Sequence, residues 1–293
     1  MAARPAALLR LLPLALLLPI GAPARPPAPP AFRAERLEAG GVHVRALRAG
    51  EAETTVVFLH GYAESLVSWR PVLDRVAPGH RVLALDLPGF GLSDKPAGPY
   101  DVRAQAARLR PLLAAEGRPL VLVGHSMGGA VALALAADGT LPVAAVALVA
   151  PAGFGLSEAA TPLQASGAAS LLAAVAPLAL PVHAPDWLAE PETAMAYEPA
   201  LDPAYHRAAR AALRDVEFGA LDALARDVRA PVLLVWGRLD PTTPHAGSTR
   251  LLASLPCARL ASLDRAFHRP HQAQADTVAA LLLDFLGDPR CDG

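Results

Sequence analysis

The chain has 293 residues, 53% of them hydrophobic, and a formal net charge of −1. This is enough apolar material for one large core, or for a domain that carries an insertion. So balanced a charge gives no electrostatic reason to expect nucleic acid as a partner.

Arg4 and Arg10 precede an apolar run from Leu11 to Ile20, and Ala22-Pro23-Ala24 is a small-x-small site. This pattern predicts that residues 1–24 are an export signal, with an uncleaved N-terminal membrane anchor as the alternative. The expected location is therefore outside the cytoplasm, with N-terminal membrane association if the segment is retained. Residues 25–39 begin with a proline-dominated stretch and read as an extended linker.

Val42 to Leu47 alternates apolar and polar residues, as a half-exposed strand would. Val56-Val57-Phe58-Leu59 is a buried strand ending at His60-Gly61-Tyr62-Ala63-Glu64-Ser65, with a helix expected from about Ser68 to Ala77. Arg81 to Asp86 is the next strand and leads into the turn-rich stretch Leu87 to Asp94. A helix over Val102 to Ala115 follows, with Pro111 able to kink it.

Pro119 to Val123 is a short apolar strand, and Ala130 to Ala137 is rich in helix formers. Between them lies Gly124-His125-Ser126-Met127-Gly128-Gly129. Strand, sharp turn and helix with a serine at the apex is the context in which G-x-S-x-G forms a nucleophile elbow. The glycines let strand and helix pack closely, and the helix start favours negative charge near the hydroxyl.

Val143 to Val149 and Pro231 to Trp236 are further apolar strands, Arg259 to Leu263 is a weaker one, and Thr277 to Leu286 is a closing helix. Apolar strands alternating with helices predict an α/β fold: a mostly parallel sheet with helices on both faces. Residues 151–227 break the alternation and read as an inserted helical cap over the strand ends, with Ala168 to Leu180 almost wholly apolar. The core then comprises residues 40–150 and 228–287. An apolar lining under the cap favours a substrate with apolar acyl or alkyl groups.

A serine nucleophile needs a base within hydrogen-bond reach and an acid to orient that base. With an elbow the chain order is serine, acid, histidine. Asp240, after the strand ending at Trp236, is the acid candidate, and Asp264 is its rival. His268, after the last strand, is the base candidate, and His271 is the alternative. The oxyanion of a tetrahedral intermediate needs two donors, here the backbone N–H groups of Met127 and Tyr62. His60 and His125 read as structural neighbours of the oxyanion turn and the elbow. This chemistry calls for no cofactor, and the nine histidines show no spacing with carboxylates that argues for a metal site.

Together these motifs resemble the α/β-hydrolase family with a cap. His60-Gly61-Tyr62 is similar to its oxyanion loop, Asp86 to Asp94 to its D-x-P-G-x-G-x-S-D loop, Gly124 to Gly129 to its elbow, and Trp236 to Asp240 to its acid loop. The resemblance covers roughly residues 40 to 287. It implies an esterase, lipase or C–C hydrolase, and Ser126 argues against the dehalogenase and epoxide-hydrolase branches, which use an aspartate. Two positions depart from the pattern: Phe267 stands where the family has glycine before the histidine, and Ala273 where a glutamate often follows it. The expected activity is hydrolysis of a carboxylic ester with an apolar acyl or alkyl part. C–C cleavage of a diketone-like substrate, or ligand binding without turnover, are the alternatives. Cys257 and Cys291 have neither metal-ligand nor C-x-x-C spacing, and the sequence leaves open whether they pair.

Overall fold

A computed structural model describes residues 31–153, 202–214 and 221–291. Eight strands form one sheet: β1 (Arg33–Ala39), β2 (Val42–Ala49), β3 (Thr55–Leu59), β4 (Arg81–Leu85), β5 (Leu120–His125), β6 (Val143–Val149), β7 (Val232–Gly237) and β8 (Ala258–Leu263). Their spatial order is β1-β2-β4-β3-β5-β6-β7-β8. β1 and β2 pair antiparallel, as do β2 and β4, and all pairs from β4/β3 onward are parallel. The chain runs outward from β3 to β4, then crosses back to β5 on the other side. The strand order reverses beside β3, and in sheets of this kind ligands bind outside the carboxyl ends of the strands at such a point.

The core has two layers because a strand's side chains alternate between faces. Val57, Leu59 and Leu122 pack with helices α2 (Val102–Ala114) and α3 (Met127–Ala137) on one face. Val56, Phe58, Val121 and Val123 pack on the other face with α1 (Arg70–Val76) and the C-terminal helix, Ala275–Gly287. Both faces are buried, which is why the central strands read as continuous apolar runs.

Three expectations need correction. The stretch taken as a linker, 25–39, contains β1 from Arg33. That strand is an edge with Arg33, Arg36 and Glu38 exposed, so charge that protects an edge from other chains hid its alternation. The first helix is a 3₁₀ turn, Leu66–Trp69, capped by Ser65, followed by α1 from Arg70. The insertion's assigned end also moves. Between α4 (Pro203–Arg214) and β7 lies α5 (Leu221–Asp227), whose Leu221 and Ala225 are buried in the main core beside α3. Helix α4 touches the loops after β3 and β4: Tyr205 meets Phe90 edge-on at 6.1 Å, and the Tyr62 hydroxyl donates to the Ala209 carbonyl at 3.2 Å. The expected export segment, 1–24, and the apolar stretch 168–180 fall outside the described residues.

After β7 come α6 (Ala246–Ser254), the one-turn α7 (Pro270–Ala273) and α8 (Ala275–Gly287). A disulfide joins Cys257, just before β8, to Cys291 in the tail. No described helix is long and apolar enough to cross a membrane.

Asp86 locks the loops at the strand ends together. Fully buried, it accepts from Arg45 Nε on β2 and from Leu92 N–H, each at 2.7 Å on Oδ2, and from Leu66 N–H at 2.7 Å on Oδ1. Gly91 has φ +50°, and a Cβ there would lie 2.1 Å from Asp86 Oδ2, so the loop closes on the carboxylate only with glycine at that position. The Asp86 to Asp94 motif is therefore an architectural brace.

Removing that carboxylate takes an ion-pair partner from a largely buried guanidinium and the acceptor from two N–H groups. Asp86→Ala should cost about 3–5 kcal/mol in unfolding free energy. Asp94→Ala, at the half-exposed end of the same motif, should cost about 1 kcal/mol. Chemical denaturation midpoints check both values.

Candidate active site

Ser126 leaves β5 at φ +49°, ψ −117°, a conformation an L residue holds only under constraint. The constraint is close packing of the turn against β3. A Cβ on Gly128 would lie 2.4 Å from the carbonyl oxygens of Leu59 and His60, so glycine lets the start of α3 seat against the end of β3. The Ser126 carbonyl accepts from Gly129 and Ala152 N–H, which pins the turn on both sides.

Three side chains from distant parts of the chain then meet. His268 Nε2 is 3.0 Å from Ser126 Oγ, and His268 Nδ1 is 2.8 Å from Asp240 Oδ2. Asp240 cannot donate as a carboxylate, so Nδ1 carries the imidazole proton and Nε2 accepts from the serine hydroxyl. Asp240 is fixed in turn: Thr242 and Thr243 N–H donate to Oδ1 at 2.8 and 2.9 Å, and the Thr243 hydroxyl donates to Oδ2 at 2.8 Å. Burial would raise the Asp240 carboxyl, but the bonds and charge of His268 and the Thr243 donors outweigh it and hold the group below its usual range. Burial, helped by the nearby His125 ring, lowers His268 against the pull of Asp240. The imidazole is thus a free base at neutral pH.

The rivals stand elsewhere. Asp264 is 84% exposed and pairs with Arg238 at 2.7 Å. His271 is fully buried behind the site and stacks at 4.5 Å on Trp69 and at 4.2 Å on His125. His60 is a strut: Nδ1 donates to the Gly61 carbonyl at 2.7 Å, and Nε2 accepts from Leu87 N–H at 2.9 Å. Tyr62 follows β3 and Met127 opens α3. Among the described residues, the backbone N–H of neither has a backbone acceptor. The Tyr62 phenol is bonded to Ala209, and burial pushes its pKa up.

Two supporting residues carried no sequence signal. Thr243 lies three residues beyond Asp240 and braces it. Glu64 lies in the loop after β3 and faces His125 and Arg269. Both depend on side chains that meet only after folding. Among the described residues, one group, Glu64, His125 and His271, has ligand atoms within 4.8 Å of one another. Both Glu64 oxygens are already engaged, by Arg269, His125 and Gly61 N–H, so the group does not read as a metal centre.

The model of the alpha/beta hydrolase family matches residues 56–281. The dihydrolipoyllysine-residue acetyltransferase component of the acetoin cleaving system from Cupriavidus necator is 40% identical over 116 residues, and the match covers 39% of this chain and only 31% of that protein. The protein of the same name from Pseudomonas putida is 30% identical over 272 residues, 90% of this chain and 70% of that one. Among solved structures, an esterase from Rhodococcus sp. ECU1013 is 27% identical with a TM-score of 0.69, covering 88% of this chain and 99% of that one. With the family model spanning most of the sequence and the eight-stranded sheet following the same architecture, the chain belongs to the alpha/beta hydrolase family.

Proposed function

We propose that this protein is a serine hydrolase that cleaves carboxylic esters with an apolar acyl or alkyl part through an acyl-enzyme. The observation that carries the reading is the hydrogen-bonded chain from Ser126 Oγ to His268 at 3.0 Å and on to Asp240 at 2.8 Å. In this reading Ser126 Oγ attacks the ester carbonyl as His268 Nε2 takes its proton. Asp240 holds the ring in the required tautomer and stabilises the imidazolium. The backbone N–H groups of Met127 and Tyr62 receive the oxyanion, the first at the start of α3, where the helix dipole adds to the effect. His268 returns the proton to the leaving alcohol. Water, activated by the same ring, then releases the acid.

The apolar preference rests on the almost wholly apolar sequence of residues 168–180 within the insertion. The likeness to an esterase supports ester chemistry. Export is inferred from the pattern of residues 1–24, and the Cys257–Cys291 disulfide supports it, because such bonds persist in oxidising compartments.

The test is hydrolysis of p-nitrophenyl esters from acetate to dodecanoate. Ser126→Ala and His268→Ala should each lower kcat by about 10⁴-fold or more, and Asp240→Asn by about 10⁴-fold. Asp264→Asn should leave turnover unchanged. Folded protein inactive on every ester would sink the esterase reading and turn attention to C–C cleavage or to binding alone.

The pH dependence follows from the lowered His268. Only the neutral ring accepts the serine proton, so kcat/KM should rise with pH through one ionisation and then level off. Because His268 is depressed, that ionisation should fall below about 6.5, the ordinary histidine value. A pH–rate profile with its midpoint above that value would contradict the assignment.

A further inference from the structure

Glu64 sits in the loop after β3 with its side chain 6% exposed, and it joins its own loop to two distant chain segments. Gly61 N–H donates to Oε2 at 3.1 Å, Arg269 Nε to Oε1 at 2.8 Å, and His125 Nδ1 lies 3.2 Å from Oε2. The other nitrogen of His125, Nε2, lies 2.9 Å from the backbone carbonyl of His268. A carbonyl can only accept, so Nε2 carries a proton. Nδ1 faces a carboxylate oxygen of Glu64, whose other oxygen is taken by Arg269 Nε. A ring that is 1% exposed with an acceptor at each nitrogen is satisfied at both only as the imidazolium.

These partners adjoin the reacting groups. Gly61 precedes Tyr62, the proposed oxyanion donor. His125 precedes Ser126. Arg269 follows His268, and His125 grips the His268 carbonyl directly. We propose that Glu64, acting through a charged His125, is a positioning residue that sets the oxyanion loop, the elbow and the base loop relative to one another. The proposal rests on the hydrolase reading of Ser126 and His268. It also accounts for the base loop's hold despite Ala273: a carboxylate arrives from the β3 loop. Fully buried His271 packs against His125 with ring centroids 4.2 Å apart. Burial holds it well below the ordinary histidine value, so it packs as a neutral ring.

The test pairs a charge-state measurement with kinetics on Glu64→Gln, which keeps size and an acceptor oxygen but loses the charge. In wild-type protein labelled with ¹⁵N-histidine, long-range ¹H–¹⁵N spectra at neutral pH should show His125 protonated on both nitrogens. In Glu64→Gln the ring should become a neutral tautomer. On a p-nitrophenyl ester, kcat should fall about 10²-fold with KM little changed, the scale expected when reacting groups are misplaced by about 1 Å. Labelling of Ser126 by a fluorophosphonate probe should slow in step. A neutral His125 in the wild type overturns the proposal, as does a folded Glu64→Gln enzyme with wild-type kcat. If Glu64→Gln fails to fold, the wild-type spectrum decides alone. Wild-type protein inert to both ester and probe would overturn the hydrolase reading, and the positioning role with it. An active wild type beside an unaffected variant overturns the positioning role only.

Discussion

The site depends on one close approach, the packing of the first turn of α3 against the carboxyl end of β3. It brings the Gly128 backbone against the carbonyls of Leu59 and His60 and leaves no room for a Cβ. That approach forces Ser126 into a left-handed conformation and projects its hydroxyl from the sheet edge. It also sets the N–H of Met127 near the loop that carries Tyr62. The strain at Ser126 is held by hydrogen bonds to its carbonyl from Gly129 and Ala152 and from its N–H to Val149. A parallel sheet suits this arrangement because it places every strand's carboxyl end on one side, so loops far apart in sequence converge there.

Two buried carboxylates brace those loops at different depths. Asp86 ties β2, the 3₁₀ turn and the loop after β4, and has no direct contact with Ser126 or His268. Glu64 ties the loop after β3 to the elbow and the base loop. Each carboxylate is satisfied by several donors, which is what makes burying such a charge tolerable. The histidines divide the same way. His60 and His271 are held neutral by burial and serve as strut and filler, whereas His268 keeps one face toward the serine.

Much of this was legible in the sequence where local chemistry decides the outcome. The central strands announced themselves as apolar runs because both faces of the sheet are covered. The elbow did so through its glycines, and Ser126, Asp240 and His268 stand in the chain order that an elbow calls for, after β5, β7 and β8. Structure that depends on partners was not legible. β1 is an exposed edge whose pairing with β2 outweighs its charged composition. Helix α5 belongs to the core because Leu221 and Ala225 find α3, which no periodicity over seven residues reveals. Glu64 and Thr243 are ordinary loop residues until the loops meet. The resemblance to the α/β-hydrolase family supplied the frame, but only the folded geometry separates His268, which reaches Ser126, from His271, which packs against Trp69 and His125.

The central claim is that Ser126 Oγ becomes covalently acylated. The most direct measurement is rapid acid quenching of the protein mixed with excess p-nitrophenyl ester, followed by peptide mass mapping. The account predicts the acyl mass on the peptide containing Ser126, formed within the first turnover. Turnover with no adduct on that peptide, or with the acyl group on another side chain, would contradict it.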